Sequence, residues 1–267
     1  MTRTLRIRDL DKRFGGGRTL FGRKRPAVHA VEAASLDVAR GETLGIVGES
    51  GCGKSTLARM IVGLLPPSAG TIEIEGTDYA KVAGRDPAAF GKVIQYVFQD
   101  PLSSLNPRKS IRQILEVPLR LLHGMDTVQR AARIDEILDA VNLRREFLDR
   151  YPHEFSGGQA QRIGIARALA AAPRILVLDE PVSALDVSVQ AQVLNLLQRL
   201  KDEFDLTYLF ISHDLAVVEA LSSEVMVMLA GKAVEVGPRD QVFRTPRNDY
   251  TRTLLAAVPV PGRRRSS

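Results

Sequence analysis

The stretch TLGIVGESGCGKSTLARMIVGL, residues 43–64, restricts the fold more than any other part of the chain. An apolar β-branched run enters a glycine-rich turn, and the turn opens straight into a helical pattern. Gly48, Gly53, Lys54 and Ser55 stand at the spacing G-x-x-x-x-G-K-[ST], with the strand before and the helix after. Glycines let successive backbone N–H groups converge on phosphate oxygens, and the helix N-terminus adds positive potential. Lys54 is expected to reach β- and γ-phosphates, and the Ser55 hydroxyl to hold Mg²⁺. Glu49, Ser50, Gly51, Cys52 and Thr56 complete the expected phosphate site. Cys52 reads as a small filler residue rather than a redox sensor.

Short apolar runs at 5–10, 35–39, 43–48, 71–76, 93–99, 175–180, 207–212, 225–229 and 233–237 predict strands. Helical patterns lie between them. Val189, Val193, Leu196, Leu197 and Leu200 form one face of a helix over 188–204, and Ile134, Ile137, Leu138 and Val141 mark another over 127–143. Alternating strands and helices imply an α/β core with a parallel sheet. The strand-rich N-terminal part is expected to form an antiparallel layer beside it. No convincing strand falls within about 100–165, which predicts a helical insertion.

The run RILVLDE is apolar until its end, so Asp179 and Glu180 must emerge at the C-terminal edge of the sheet, where α/β folds bind ligands. Asp179 suits the orientation of Mg²⁺ and its waters. Glu180, pointing elsewhere, suits a base that polarises an attacking water. Gln99 ends VIQYVFQ and His213 follows TYLFIS, so both are expected near a γ-phosphate: Gln99 as a ligand of metal and water, His213 as a donor. A second glycine-rich helix start, Ser156-Gly157-Gly158-Gln159, also looks like a phosphate-binding turn, although the phosphate loop at 48–56 already supplies one.

Composition narrows the class. The 267 residues are 45% hydrophobic and 25% charged, enough for a full core. No apolar run approaches the ~18 residues of a membrane span, and MTRTLRIRDLDKRF lacks the apolar segment of a secretion signal. One cysteine allows neither an internal disulfide nor a multi-cysteine metal site, which fits a reducing cytoplasm. The net charge of +6 sits partly in Arg23, Lys24, Arg25 and in Arg263, Arg264, Arg265. These read as solvated loop and tail. No basic stretch carries interleaved aromatics, so no nucleic-acid partner is expected.

In order, GESGCGKST (48–56), FQDP with Gln99, FSGGQ (155–159), ILVLDE (175–180), SALD (183–186) and SHD (212–214) resemble the ATP-binding subunits of ABC transporters. More narrowly, VFQDPLSSLNPRKSI, YPHEFSGGQ, DEPVSALDVSVQAQVLNLL and the tail YTRTLLAAVP resemble the peptide/nickel import branch, the oligopeptide and dipeptide permeases. Within its pairs of ATPases the chain looks like the F-type member, because no C-terminal cysteine cluster is present. The resemblance implies a P-loop NTPase (RecA-like) core with an antiparallel β subdomain and an inserted α-helical subdomain. It implies an ABC domain over 1–240 (core 1–99 and 167–240, insertion 100–166) and an oligopeptide-transporter-type extension over 241–267. It further implies ATP and Mg²⁺ as ligands, and ATP hydrolysis that drives import of peptides or related small solutes.

The implied partners are a second ATP-binding subunit, identical or a D-type paralogue, two transmembrane permease subunits and, indirectly, an extracytoplasmic solute-binding protein. Ser156, Gly157, Gly158 and Gln159 would cap the ATP held by the partner. Asp100–Lys109 would meet a short permease helix, at the cytoplasmic face of a bacterial inner membrane. The aromatic residue expected against adenine is Phe14, with Phe21 and His29 as alternatives. Two positions depart from the pattern. The tail motif P-x-H-P-Y-T is Pro246-Arg247-Asn248-Asp249-Tyr250-Thr251 here, and Ala160 stands where the family favours Arg after the signature. Ala160 is expected at a solvent- or interface-facing position of modest effect. The alternative class is a soluble ABC-type ATPase acting on ribosomes or nucleic acid. A single cassette without coiled-coil or zinc inserts points away from it.

Overall fold

A computed structural model describes residues 3–15, 27–78 and 86–257. Two sheets organise it. Strands β1 (Arg3–Gly15), β2 (Ala27–Ala39), β4 (Ala69–Ile74) and β5 (Thr77–Asp78) form an antiparallel sheet in the order β2-β1-β4-β5. Strands β3 (Thr43–Val47), β6 (Ile94–Val97), β7 (Ile175–Asp179), β8 (Thr207–Ile211), β9 (Glu224–Leu229) and β10 (Lys232–Pro238) form the second, in the order β10-β9-β3-β8-β7-β6. There β9, β3, β8, β7 and β6 run parallel, and β10 returns antiparallel on β9. All nine expected strands are present. The two-residue β5 carries too little pattern to show in the sequence.

Every residue of β3, β7 and β8 is buried, as apolar strands covered on both faces must be. Side-chain alternation divides them between two cores. Ile175 and Val177 pack with Leu57, Met60 and Ile61 of helix α1 (Lys54–Ile61) and with Leu5, Ile7 and Val38 of the antiparallel sheet. Leu176 and Leu178 pack on the opposite side, in the core that also holds Ile114, Leu138, Ile163, Leu197 and Val218. The antiparallel layer beside the core is therefore where the strand-rich N-terminal part predicts it.

Helices follow their local signals. Short helices α2 (Pro87–Val93) and α3 (Pro101–Ser104) start behind Asp86 and Asp100, each with proline in the first turn. Capping boxes open α4 (Ile111–His123), from Ser110 and Gln113, and α5 (Thr127–Ala140), from Asp126 and Gln129. Helix α6 (Gly157–Leu169) follows. It runs across the 166/167 boundary expected for the insertion as one continuous helix. Then come α7 (Val187–Phe204), capped by Asp186, and α8 (Leu215–Leu221), capped by Asp214. The chain continues with α9 (Arg239–Arg244) and α10 (Asp249–Ala256). No described strand lies between residues 98 and 174.

Ala160 corrects an expectation. It is fully buried within the chain, not solvent- or interface-facing. Helix α6 is enclosed by its neighbours, with Ala160, Ile163, Ala166 and Ala168 all buried. In the tail, Asn248 takes up its departure from the family pattern by capping α10, accepting from the Tyr250 N–H at 2.9 Å. Glu235 of β10 anchors the same turn, accepting from the backbone N–H groups of Arg247 (2.8 Å) and Asn248 (3.1 Å) and from Gln241 Nε2 (2.9 Å).

Candidate active site

The loops that follow β3, β6, β7 and β8 meet at the C-terminal edge of the parallel strands, where ligands bind in such sheets. A cavity of about 620 Å³ opens there, lined by Ser50, Gly51, Gly53, Lys54, Ser55, Thr56, Gln99, Glu180 and His213. On its other side stand Val28, His29, Ala30, Ala230 and Gly231.

The loop needs its glycines. Gly48 has φ +148°, and a Cβ there would lie 2.2 Å from the Met228 carbonyl oxygen. Gly53 has φ +110°, and a Cβ would lie 2.2 Å from the Ala30 carbonyl oxygen. Only glycine adopts these angles and tolerates that approach. Cys52 is buried against Gly48, a filler as expected. Lys54 is 5% exposed, and its Nζ donates to the carbonyls of Gly48 (2.7 Å) and Glu49 (2.9 Å). The loop thus holds its cation across the concavity that its own backbone makes.

Two carboxylates at the end of β7 part company. Asp179 is 3% exposed; its Oδ1 accepts from Ser55 Oγ at 3.1 Å and its Oδ2 from Tyr96 Oη at 2.5 Å. Burial, then the Asp179 charge, push the Tyr96 hydroxyl far above its ordinary pKa, so it stays a donor. Glu180 turns the other way, with φ +47°, a strained backbone for a non-glycine residue and one typical of functional sites. Its Oε2 accepts from Gln99 Nε2 at 3.0 Å and lies 3.2 Å from His213 Nδ1. Gln99 therefore belongs with Glu180 and His213 here, rather than with the Ser55–Asp179 pair.

Among the described residues no group of three His, Cys, Asp or Glu side chains converges as a metal site. A hydroxyl beside one buried carboxylate suits Mg²⁺, which takes few protein ligands and completes its shell with water and substrate phosphates.

Ser156, Gly157, Gly158 and Gln159 do not line this cavity. Ser156 and Gly157 are exposed at the start of α6. Gln159 Oε1 accepts from the Ser156 N–H at 3.1 Å and from its hydroxyl at 3.2 Å. Helix α1 has a glycine, Gly53, at its N-cap, and at the start of α6 Ser156 and Gln159 form a capping box. Both helices still turn first-turn backbone N–H groups without an intrahelical partner toward their N-terminal ends, at Gly157 and Gly158 in α6.

Phe14 stands beside the cavity rather than in its wall. It pairs with Val28 across β1 and β2, is 42% exposed and carries Lys12 Nζ 5.3 Å above its ring. His29 lines the wall, with Nε2 2.5 Å from Asp11 Oδ2. Phe21 lies outside the described residues. The wall at Val28, Ala30, Ala230 and Gly231, and Tyr96, have no motif in the sequence. The one trace of Tyr96 is a hydroxyl in the otherwise apolar run YVF.

A family model described as "ABC transporter" matches residues 31–183. The chain belongs to the ABC transporter family. It is 49% identical over 264 residues to the oligopeptide transport ATP-binding protein AppF of Bacillus subtilis, covering 98% of this chain and 80% of that one. It is 48% identical over 260 residues to the oligopeptide transport ATP-binding protein OppF of Escherichia coli (96% and 78%). It is 53% identical over 234 residues to OppD of Mycobacterium tuberculosis, covering 88% of this chain but 38% of that longer protein. Among solved structures, a dimeric post-hydrolysis form of the cassette MJ0796 bound to ADP and phosphate has a TM-score of 0.78 at 27% identity, over 88% of this chain and 98% of that one. CbiO1 of Clostridium perfringens, part of the transporter complex CbiONQ, has a TM-score of 0.76 at 26% identity, covering 97% of each. The fold is that of an ABC cassette, and the protein binds and hydrolyses ATP.

Proposed function

We propose that this chain is the F-type ATPase of an importer for peptides or related small solutes, and that it works as one half of a head-to-tail pair. The carrying observation is the start of α6, exposed and outside the cavity that holds the chain's own phosphate loop. Relatives named as oligopeptide transport ATP-binding proteins support the cargo class. The partner is an identical chain or, by our reading, a D-type paralogue.

In this reading ATP lies along Gly48–Thr56, with its base against Phe14 or His29. Lys54 leaves the Gly48 and Glu49 carbonyls to bind β- and γ-phosphate oxygens. Ser55 and Asp179, joined by Gln99 on closure, would hold Mg²⁺, which neutralises charge on the phosphates. Ser156, Gly157, Gly158 and Gln159 of the partner subunit close over the γ-phosphate. Glu180, steered by Gln99 and His213, polarises the attacking water, and His213 donates to the γ-phosphate. Catalysis is then mainly positioning and electrostatic stabilisation. Loss of the γ-phosphate removes what both halves hold, so the pair opens and drives the permease.

No described helix is long and apolar enough to cross a membrane. Attachment through two permease subunits at the cytoplasmic face, with a solute-binding protein on the far side, is part of the proposal. So is division into an ABC domain over 1–240, with its insertion at 100–166, and an extension over 241–267. Next to segment 100–109, which is exposed apart from buried Leu105 and half-buried Pro101 and Ser104, Phe98, Phe90, Pro118, Leu121 and Leu122 line an apolar groove of about 420 Å³, which suits a short permease helix.

Ser156→Arg tests the paired site. The isolated chain should bind ATP as the wild type does, while the assembled transporter loses hydrolysis. Full ATPase activity in the assembled Ser156→Arg transporter would overturn the in-trans role.

A further inference from the structure

We propose that Tyr96 is a positioning residue for Asp179, fixing the carboxylate so that one oxygen is presented to the metal. The proposal rests on the assignment of Ser55 and Asp179 to Mg²⁺.

Asp179 is a carboxylate buried at the end of a strand that is itself buried. An ionised carboxylate in that place must have donors on both oxygens. Ser55 Oγ serves Oδ1 and Tyr96 Oη serves Oδ2. The two donors differ in what they can do. Ser55 opens α1 behind the phosphate loop and is itself a candidate metal ligand, so its bond to Oδ1 is one that metal binding can replace. Tyr96 lies within β6, is 7% exposed and does not line the phosphate-loop cavity, although its side chain borders the apolar groove beside Phe98. Its bond to Oδ2 can persist throughout the cycle.

The sheet fixes the reach. In the β6–β7 pair Tyr96 stands opposite Val177, and Asp179 is the next residue of β7 on the same face. A phenol spans that diagonal. Phe98, just past the end of β6, meets the Tyr96 ring edge-on with centroids 4.6 Å apart and restrains it. A side chain without a donor at position 96 would remove the hydroxyl bond to Oδ2, leaving Arg59, which also reaches the Tyr96 hydroxyl, as the nearby donor, and would loosen the carboxylate. Such partners of metal ligands typically change metal affinity by about 10–100-fold when removed.

The test is Tyr96→Phe in the full chain, with a fluorescent ATP analogue titrated in EDTA and again across a range of Mg²⁺. We expect unchanged nucleotide affinity in EDTA, and about a 10-fold rise in the Mg²⁺ needed for the metal-dependent gain in affinity. An unchanged Mg²⁺ requirement overturns the proposal. So does an equal loss of affinity with and without Mg²⁺, which would make the hydroxyl merely structural. Tyr96→Met is measured the same way if Tyr96→Phe does not fold, and failure of both to fold also overturns it. Asp179→Asn is run in parallel. If it leaves the Mg²⁺ requirement unchanged, the metal assignment itself is wrong. If it raises the requirement while Tyr96→Phe does not, only the role of Tyr96 falls.

Discussion

Gly158→Ala separates packing from chemistry at the signature helix. A Cβ on Gly158 would lie 2.4 Å from Val189 Cγ1 near the start of α7, and its other contacts, at 3.8 and 4.0 Å, are also with Val189. Carbon atoms in contact normally sit about 3.5–4.0 Å apart, so one methyl group must yield by more than an ångström. Val189 is held where it is, because its N–H donates to Asp186 Oδ1 at 3.0 Å as part of the helix cap. Overpacking of this kind costs about 1–3 kcal/mol. For a chain of this size each kcal/mol lowers Tm by about 2–4 °C. Val189→Ala removes the offending methyl and leaves only ordinary contact, so the double variant should regain the lost Tm. ATP binding to the chain's own phosphate loop should be unchanged in both variants. Hydrolysis in the assembled pair gives the second reading. If Gly158 serves only packing, Val189→Ala restores hydrolysis along with Tm. If the partner's phosphate must approach the bare backbone, Tm returns and hydrolysis does not. Calorimetry and phosphate release are the assays. A single Gly158→Ala variant with wild-type Tm, or a double variant with no recovery of Tm, would refute the steric reasoning.

Glu180→Gln keeps the shape of the side chain and removes the base. Turnover should fall about 10²–10⁴-fold with ATP binding intact, trapping the closed pair in gel filtration; preserved turnover would remove Glu180 from that role. Glu235 supplies a pH test. Burial alone would raise its pKa, but donors led by the Arg247 N–H outweigh it and hold the pKa below the ordinary glutamate value. A lowered folded-state pKa stabilises the protein above the unfolded value of about 4.3, and that stability is lost as pH falls through the folded value. Glu235→Gln should therefore cost about 1.5–3 kcal/mol near neutrality, and the gap to wild type in thermal unfolding should close in acid. A gap independent of pH would contradict this account.

The sequence carried the strands well because strands buried on both faces, such as ILVLD and TYLFI, are continuous apolar runs whatever packs on them. Ala160 shows where that clarity stops. Sequence periodicity places a helix face only when one side is wet, and the small and branched residues of α6 are buried around much of its girth. No stripe marked position 160 as core. Gln99 was legible as a polar residue near a strand end, but its bond to Glu180, 81 positions away, depends on the β6–β7 pairing.

What the sequence settled by itself is local: strand, loop and helix within residues 43–64, where glycine torsions and a helix N-terminus act over a few neighbouring peptides. The parallel core, and the emergence of Asp179 and Glu180 at its edge, follow from apolar runs of fixed length. Tertiary structure alone decided which hydroxyls hold Asp179, which way Glu180 turns and how deeply Ala160 is buried. Those contacts join residues far apart in the chain, and their partners are set by strand order and helix packing, which no local pattern encodes.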